Sequence, residues 1–355
     1  MKFSPQFGGK LSTAKKELYN SSLNFKDGKF INKDELSVTP KITLSGFIQG
    51  LGSMFSNDST TIVSKPQKDI KVQNIDVSNI KVVNDSTRLV WFGHSTFLLQ
   101  LKNKNILIDP MFGQVPSPIS WAGGKRFSAK LPIEIENLPK IDAVILSHDH
   151  YDHLDYGSIL KLKDKVEMFY TPLGMSIHLE KWGVEKERIV ELDWWESVEN
   201  DNLTFRCTPS QHSSGRKLNA MSNTLWSSWV IKSDDKNIFF SGDGGYAEHF
   251  KKIGRKYGPF DFAMLECGQY NKQWPLLHMF PEQTAQAGLD IQAKQIMPIH
   301  WGAFRLSNHK WDEPVKRLLT AAEKLNIPVV VPKIGEPILI ESNISYSNES
   351  WWENY

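Results

Sequence analysis

Residues 146–155 read LSHDHYDHLD, and this stretch limits the possible folds and chemistry of the chain more than any other. Three histidines and three aspartates follow directly on an apolar run that is typical of a strand buried on both faces. In extended backbone, residues two apart point to the same side, so His148 and His150 can bind one metal ion. Asp152 and His153 follow where the chain turns toward a helix, and they can hold a second ion beside the first. A single histidine at such a place is more often structural, but this clustering favours a metal site.

Four ligands are too few for two ions, and the sequence offers three more candidates. His212 in CTPSQHSSG, Asp243 in FFSGDGGY and His300 in IMPIHWGAF each follow a strand-like run. The glycines beside Asp243 allow close backbone approach, and its carboxylate can bridge two ions. Imidazole and carboxylate ligands without thiolate fit Zn²⁺, and they also fit Mn²⁺ or Fe. The sequence therefore predicts a dinuclear site that would hold a hydroxide nucleophile between its ions near neutral pH.

The strand and helix patterns predict an α/β fold. TRLVWFGHSTFLLQL, NILIDP and IDAVILS are typical of strands, and GSILKLKD, MSIHLEKWG and PEQTAQAGLDIQAK of helices. STFLLQLKNKNILIDP also resembles SSWVIKSDDKNIFFSGDGG, because each is a strand, a turn, Lys-Asn-Ile, apolar residues and then Asp. Coincidence is the alternative for so short a match. A true duplication would give two facing sheets with helices outside, an αββα four-layer sandwich.

The chain divides by texture into three parts. Residues 1–85 are polar and rich in Ser, Asn, Lys and Asp. We predict that they form an N-terminal extension packed on the core, with a disordered tail as the alternative. Residues 86–345 carry the strand patterns and every candidate ligand, and they form the predicted catalytic domain. Residues 346–355 form a predicted C-terminal tail.

Charge and hydropathy exclude several classes of protein. Lys and Arg total 42 against 40 acidic residues, so the net charge is +2 and we expect no nucleic-acid partner. No run approaches the roughly 18 apolar residues of a membrane-spanning helix. The N-terminal MKFSPQFGGK has no apolar signal-peptide core. We expect a cytoplasmic protein or one bound peripherally to a membrane, and the sequence leaves its oligomeric state open.

The order of these motifs resembles the metallo-β-lactamase-fold hydrolases over residues 86–345. HDHYDH is followed by a histidine, an aspartate and a histidine, each after its own strand-like run. The resemblance implies two zinc ions bridged by Asp243. The ligand sets that it implies are His148, His150 and His212 for one ion and Asp152, His153 and His300 for the other.

Within that superfamily, WFGHST, SWAGGKRF, HDHYDHLD and IHWGAF are similar to the N-acylphosphatidylethanolamine-hydrolysing phospholipase D branch. In that branch a histidine precedes a Pro-Glu helix start near the metals, and His278 in LLHMFPEQTA matches that place. The resemblance implies a catalytic role for His278 beside the scissile phosphate or the leaving group. Asp152 and Asp243 would orient the nucleophile while they hold metal.

Four further residues are candidates for substrate contact. His94 follows a strand and can line the site, and Arg126 lies in a Gly-rich loop and can neutralise a phosphate. A core histidine and a solvated charge are the respective alternatives. Trp274 lies on the loop of the predicted catalytic histidine, and Trp301 adjoins a predicted ligand. Both tryptophans can form an apolar groove for acyl chains, with core positions as the alternative.

Two other aspartates of the opening stretch receive supporting roles. We expect Asp149 to fix the loop between two ligands and Asp155 to cap the following helix.

The predicted function is metal-dependent hydrolysis of the phosphodiester of N-acyl phosphatidylethanolamine or a related phospholipid, with possible contact at a membrane surface. A lactonase, or another carboxylic ester or amide hydrolase with the same site, is the first alternative. A metal-binding scaffold without turnover is the second, and the complete set of ligand residues argues against it.

Overall fold

The computed structural model describes residues 4–32, 63–81, 86–119, 121, 123–217, 220–341, 346 and 348–355. Part of the predicted N-terminal extension, residues 1–3, 33–62 and 82–85, lies outside these ranges. The strands are β1 Phe25–Lys26, β2 Lys29–Phe30, β3 Arg88–Trp91, β4 Phe97–Leu101, β5 Lys104–Ile108, β6 Ile141–Ile145, β7 Val166–Pro172, β8 Ile189–Leu192, β9 Ser197–Asn200, β10 Leu203–Thr208, β11 Ser228–Lys232, β12 Asn237–Phe240, β13 Phe262–Glu266, β14 Ile296–Ile299 and β15 Pro337–Leu339. The α-helices are α1 Thr13–Tyr19, α2 Val77–Lys81, α3 Tyr156–Leu162, α4 Ser176–Lys181, α5 His249–Tyr257, α6 Pro281–Asp290 and α7 Glu313–Lys324.

Two mixed sheets form the centre of the molecule. The seven-stranded sheet has the order β15-β3-β4-β5-β6-β7-β8, and the six-stranded sheet has the order β14-β13-β12-β11-β10-β9. In the first sheet, β4 and β5 pair antiparallel and β6 lies parallel to β5. In the second, β11 and β12 pair antiparallel and β13 lies parallel to β12. The two segments that resemble each other in sequence therefore occupy matching places in the two sheets.

Alternating side chains on the strands create three packed layers of apolar residues. Phe97 of β4 points between the sheets and packs against Phe240 of β12. Its neighbour Leu98 points to the opposite face and belongs to the cluster that contains Ile159 of α3. The outer face of the six-stranded sheet is covered in the same way by α5, α6 and α7. The predicted αββα four-layer sandwich is confirmed, and strands buried on both faces explain their nearly continuous apolar sequences.

The described N-terminal residues pack on this sandwich. Tyr19, Phe25 and Phe30 contact one another with ring centroids 4.8–6.0 Å apart, and all three belong to the apolar cluster between the sheets. The amide of Asn32 donates a hydrogen bond of 2.9 Å to the backbone carbonyl of His212. The segment from residue 4 to residue 32 thus reaches a predicted metal ligand.

The last residues of the chain complete the core. Trp351 and Trp352 are only 4% and 2% exposed. Trp351 stacks on Trp301 with centroids 5.5 Å apart, and it also contacts Trp91 and Trp311. The residues predicted as a tail therefore supply two buried indoles. They shield the apolar faces of the tryptophan cluster from water.

We expect Trp351→Ala to lower the free energy of unfolding by about 3–5 kcal/mol, because it leaves a cavity among five aromatic residues. Denaturant unfolding followed by circular dichroism measures this loss. Trp121 is 81% exposed, so Trp121→Ala is the matched control and should change stability by less than about 0.5 kcal/mol. Equal stability of the two variants would show that the C-terminal residues do not pack on the core.

Candidate metal centre

All seven predicted metal ligands meet at one edge of the sandwich. They stand in the loops that follow β6, β10, β12 and β14. These loops reach the same edge because the strands end there, although up to about 150 residues of sequence separate them. Side chains at strand ends of α/β sheets commonly form ligand sites.

One group of candidate ligands consists of His148, His150 and His212, whose nitrogens lie within 4.8 Å of one another. Nε2 of His148 lies 2.9 Å and Nε2 of His212 lies 3.2 Å from Nδ1 of His150. Burial lowers the pKa of each of these imidazoles. Neutral imidazoles keep a lone pair on one ring nitrogen, so this group suits a divalent cation.

A second group consists of Asp152, His153 and His300, together with His94. Oδ2 of Asp152 lies 3.4 Å from Nε2 of His153 and 3.9 Å from Nδ1 of His300. The same oxygen lies 2.8 Å from Nε2 of His94, which the sequence interpretation had placed against substrate. His94 is completely buried, so its contact is with the candidate ligand Asp152 and not with substrate.

Asp243 stands between the two groups. Its Oδ2 lies 3.8 Å from Nε2 of His148 and 3.9 Å from Nε2 of His212. On the other side its Oδ1 lies 3.1 Å from Nδ1 of His300, and its Oδ2 lies 3.1 Å from Nε2 of His153. This carboxylate therefore lies within 3.9 Å of four histidines drawn from both ligand groups, as a bridging ligand would.

The unpaired atoms of the site show that its residues fit a bound cation. Nε2 of His153 and Oδ1 of Asp243 are buried, and neither forms a hydrogen bond of good geometry, although each has a polar atom 3.1 Å away. A buried polar atom without a partner is costly. Burial also raises the pKa of Asp243 to about 7, and this effect exceeds the lowering by the neighbouring His153. Convergent imidazole and carboxylate atoms that lack partners are the expected donor set of a divalent metal.

Asp109 is a functional residue that the sequence interpretation missed. It is completely buried after β5, and its Oδ2 lies 2.7 Å from Nδ1 of His153. The backbone N–H and the hydroxyl of Ser147 donate to the same carboxylate at 2.7 and 2.5 Å. Asp109 therefore orients the His153 ring so that Nε2 points at Asp243. Its position at the end of NILIDP corresponds to that of Asp243 in the second half of the internal resemblance, and that correspondence could have revealed it.

We expect Asp109→Asn to weaken metal binding about 10–100-fold, because outer-shell partners of metal-ligating histidines have effects of this size. Competition against a chromophoric chelator gives the affinity. Asp164→Asn removes the same charge at an exposed position and serves as the control. Unchanged metal affinity in Asp109→Asn would remove Asp109 from the centre.

Left-handed backbone conformations occur at three positions of this edge. His94, Asp109 and His300 have φ angles of 56°, 39° and 64°, which are unfavourable for residues other than glycine. Two reciprocal hydrogen bonds join the loops after β3 and β14. The N–H of His94 donates to Trp301 at 3.2 Å, and the N–H of His300 donates to His94 at 3.1 Å. The surrounding fold therefore holds these residues in conformations that local sequence does not favour.

The glycines beside Asp243 lie close to neighbouring backbone, as the sequence predicts. A Cβ atom at Gly242, where φ is 56°, would lie 2.6 Å from the carbonyl oxygen of Ser227. At Gly245 it would lie 2.1 Å from that of Leu276. Side chains at these positions would push apart the segments that carry the ligands.

Asp149 fixes the ligand loop, as expected. Its carboxylate accepts a hydrogen bond of 2.7 Å from the N–H of Gly215 and lies 3.2 Å from Nε2 of His178. Nδ1 of His178 accepts from the N–H of Gly9, so Nε2 carries the proton and donates to Asp149. The sequence interpretation left His178 out, because it shows no spacing pattern. Asp155 caps α3, since its side chain accepts from the N–H of Ser158.

A pocket of about 230 Å³ opens beside the ligand groups. His278 lies in its wall, and its Nδ1 forms a hydrogen bond with the completely buried carboxyl of Glu266. Glu266 also accepts from the N–H groups of Gly244 and Met279 at 3.0 and 3.3 Å, so it ties the bridging loop to the His278 loop. Burial raises the pKa of Glu266 well above its usual value. The lining residues are His150, Asp152, Asp243, Gln269, Trp274, Leu277, His278, His300 and Leu306.

Besides His94, three residues were predicted to contact substrate, and they occupy different places. Trp274 lines the pocket, half-buried, with its indole N–H bonded to the Gln269 carbonyl at 3.0 Å. Trp301 is 1% exposed and lies in the tryptophan cluster of the core, so its predicted place in an acyl groove is corrected. Arg126 is also buried, and its guanidinium donates to backbone carbonyls and stacks on Phe304. Three of its N–H groups thus bond to the backbone, and Arg126 is absent from the lining of the pocket, which corrects its predicted substrate role.

Fold and site together define a metal-dependent hydrolase with the metallo-β-lactamase fold. A model of the β-lactamase superfamily domain matches residues 104–301 of the chain. The chain therefore belongs to this superfamily, and the resemblance inferred from its motifs is confirmed.

Relatives of this protein include both enzymes and proteins without a stated activity. An uncharacterized protein of Mycobacterium tuberculosis is 39% identical over 89% of this chain and 84% of its own length. The N-acyl-phosphatidylethanolamine-hydrolyzing phospholipase D 1 of Caenorhabditis elegans is 32% identical over 66% of this chain and 70% of its own. Among solved structures, a metallo hydrolase from Ignicoccus hospitalis shares the fold with a TM-score of 0.55, at 21% identity, over 72% of this chain and 99% of that one.

The helices of the described ranges are all too short or too polar to cross a bilayer.

Proposed function

We propose that this protein is a phosphodiesterase of the phospholipase D type that hydrolyses N-acyl phosphatidylethanolamine or a related phospholipid. The observation that carries the proposal is the His278–Glu266 pair in the wall of the pocket that borders the ligand groups. Hydrolysis of the bond between phosphorus and the N-acylethanolamine oxygen must release an alkoxide. An alkoxide is a poor leaving group unless it receives a proton. The similarity to the phospholipase D of C. elegans supports the same substrate class.

The proposed centre would hold two Zn²⁺ ions, with Mn²⁺ or Fe as chemically similar occupants. The ligand sets would be His148, His150 and His212 for one ion and Asp152, His153 and His300 for the other, with Asp243 shared. Ions held there would lower the pKa of a water molecule and stabilise negative charge on phosphoryl oxygens.

The chain's own residues would carry out the remaining steps. Asp152 and Asp243 face the pocket and would orient the attacking water through their carboxylates. Nδ1 of His278 is engaged by Glu266, so Nε2 is the ring nitrogen left to give a proton to the leaving oxygen. Water adds to phosphorus, the bond from phosphorus to the N-acylethanolamine oxygen breaks, and that oxygen takes a proton from His278. His278 regains a proton from the attacking water. The products are phosphatidic acid and an N-acylethanolamine.

The walls of the pocket suit the region around a phosphodiester. Trp274, Leu277 and Leu306 are partly exposed apolar residues in the pocket lining. A pocket of about 230 Å³ accepts a headgroup rather than a whole lipid, so the acyl chains would stay outside it. The proposal therefore includes peripheral contact with a membrane surface, where these apolar residues would meet the chains.

Mass spectrometry of the products from a phospholipid mixture tests the proposal. The zinc-loaded protein should release N-acylethanolamine and phosphatidic acid from N-acyl phosphatidylethanolamine in vesicles. A panel of lactones and simple esters provides the comparison, because a carboxylic ester hydrolase could use the same centre. Turnover of lactones without turnover of any phosphodiester would refute the proposal, and elemental analysis should find about two metal ions per chain.

A further inference from the structure

A second pocket of about 230 Å³ lies between the loop after β8, the segment after β10 and the start of α5. It shares no lining residue with the pocket at the metal centre. The residues that line it are Asn32, Trp194, Trp195, Pro209, Ser210, Gln211, Ala247, His249 and Lys252.

Two consecutive tryptophans form one wall of this second pocket. Trp195 has a φ angle of 77°, which is rare for a bulky residue. Trp194 and Trp195 both line the second pocket. The N–H of Trp195 donates to the carbonyl of Cys207 at 2.7 Å, which holds this conformation. The indole N–H of Trp194 donates to the carbonyl of Trp226 at 2.7 Å, so its ring offers the pocket apolar surface. This wall suits a flat apolar body.

His249 supplies polar groups that have no partner. It is 8% exposed, lines the second pocket and packs on the ring of Phe250 with centroids 4.1 Å apart. Neither of its ring nitrogens forms a hydrogen bond with any described residue. Burial lowers the pKa of His249 to about 3, so the neutral ring presents one N–H donor. This donor is open to the pocket and has no protein partner, so a ligand bound there can accept its hydrogen bond.

Lys252 supplies the positive charge. It lies three residues after His249 on α5, which places both on the same face of the helix. Its ammonium group forms no ion pair with any described residue, whereas the neighbouring Lys251 pairs with Glu248 at 3.0 Å. Within the described parts of the chain, the lining contains no Asp or Glu. The charge of this pocket therefore favours an anion.

We propose that this second pocket binds a small aromatic carboxylate. Its ring would lie against Trp194 and Trp195, and its carboxylate would accept hydrogen bonds from His249 and Lys252. The site is independent of the proposed phospholipase activity, because none of these four residues is a candidate metal ligand or lines the catalytic pocket.

Isothermal titration of the metal-loaded protein with 1-naphthoate tests this site. We expect saturable binding that weakens about tenfold or more in Lys252→Ala, since a charge-assisted hydrogen bond is lost. Lys251→Ala removes the same charge one residue away and should bind as the unchanged protein does. The neutral analogue 1-naphthylmethanol should bind at least about tenfold more weakly than 1-naphthoate.

Further variants exclude binding elsewhere, for instance at the metals. His249→Phe keeps an aromatic ring and removes both nitrogens, so it should also weaken binding. An unchanged melting temperature would show that the variant folds. Hydrolase activity of Lys252→Ala should equal that of the unchanged protein. The proposal is overturned by the absence of saturable binding, by equal effects of Lys251→Ala and Lys252→Ala, or by equal affinity for the neutral analogue.

Discussion

Asp243→Asn is expected to lower phosphodiester turnover by at least about 10³-fold. Loss of one preorganised electrostatic group commonly costs about 10²–10³ in kcat, and this carboxylate contacts both ligand groups. The substitution keeps the size of the side chain and removes the charge that two cations would share. Turnover should be measured at saturating metal, together with the metal content of each preparation.

The control for Asp243→Asn is the same substitution at Asp234. Asp234 lies on the neighbouring hairpin with its side chain 77% exposed, and it pairs with Lys102 at the surface. Asp234→Asn should leave turnover and metal content unchanged. Turnover near that of the unchanged protein in Asp243→Asn would remove Asp243 from the centre and with it the proposed bridging role.

His278→Gln is expected to lower kcat by about 10²–10³-fold on phosphodiesters with alkyl alcohol leaving groups, as the loss of a general acid does. A p-nitrophenyl phosphodiester should lose less than about tenfold, because p-nitrophenolate departs without a proton. The contrast between the two substrates distinguishes proton delivery from a role in folding. Metal content should stay unchanged, since His278 is not in the proposed ligand sets.

Glu266→Gln should show the same contrast with a smaller loss on the alkyl substrate. The glutamine oxygen can still accept from the N–H groups of Gly244 and Met279, but an amide cannot pass a proton to Nδ1 of His278 as the protonated carboxyl can. Equal losses on both phosphodiesters in the two variants would argue against proton delivery and favour a structural role for the pair.

Much of the fold could be predicted from the sequence because its signals are local. The apolar runs of the central strands predict burial on both faces, and both faces are buried. The glycines around Asp243 are needed because neighbouring backbone oxygens lie only 2.1–2.6 Å from the place that a Cβ atom would occupy. Trp351 and Trp352 were assigned to a tail, because nothing in ten C-terminal residues indicates which distant aromatic residues they cover.

The candidate ligands could also be predicted, but their supporting residues could not. The spacing of His148 and His150 places both on one side of an extended segment, which is a property of the local backbone. Glu266 lies in the apolar run FAMLEC. A lone carboxylate within such a run was the one sequence feature that could have indicated its supporting role. The same reasoning misplaced Arg126, because loop composition does not show which carbonyls a guanidinium will meet.

The sequence by itself determined the ligand types, their order and the strand ends on which they lie, because these depend on neighbouring residues. Only the tertiary structure decided that His153 stands between Asp109 and Asp243, at 2.7 and 3.1 Å. Those two aspartates end corresponding hairpins of different sheets and are 134 residues apart. Their meeting depends on how the sheets pack face to face, and that packing is the sum of many distant apolar contacts rather than of any local pattern.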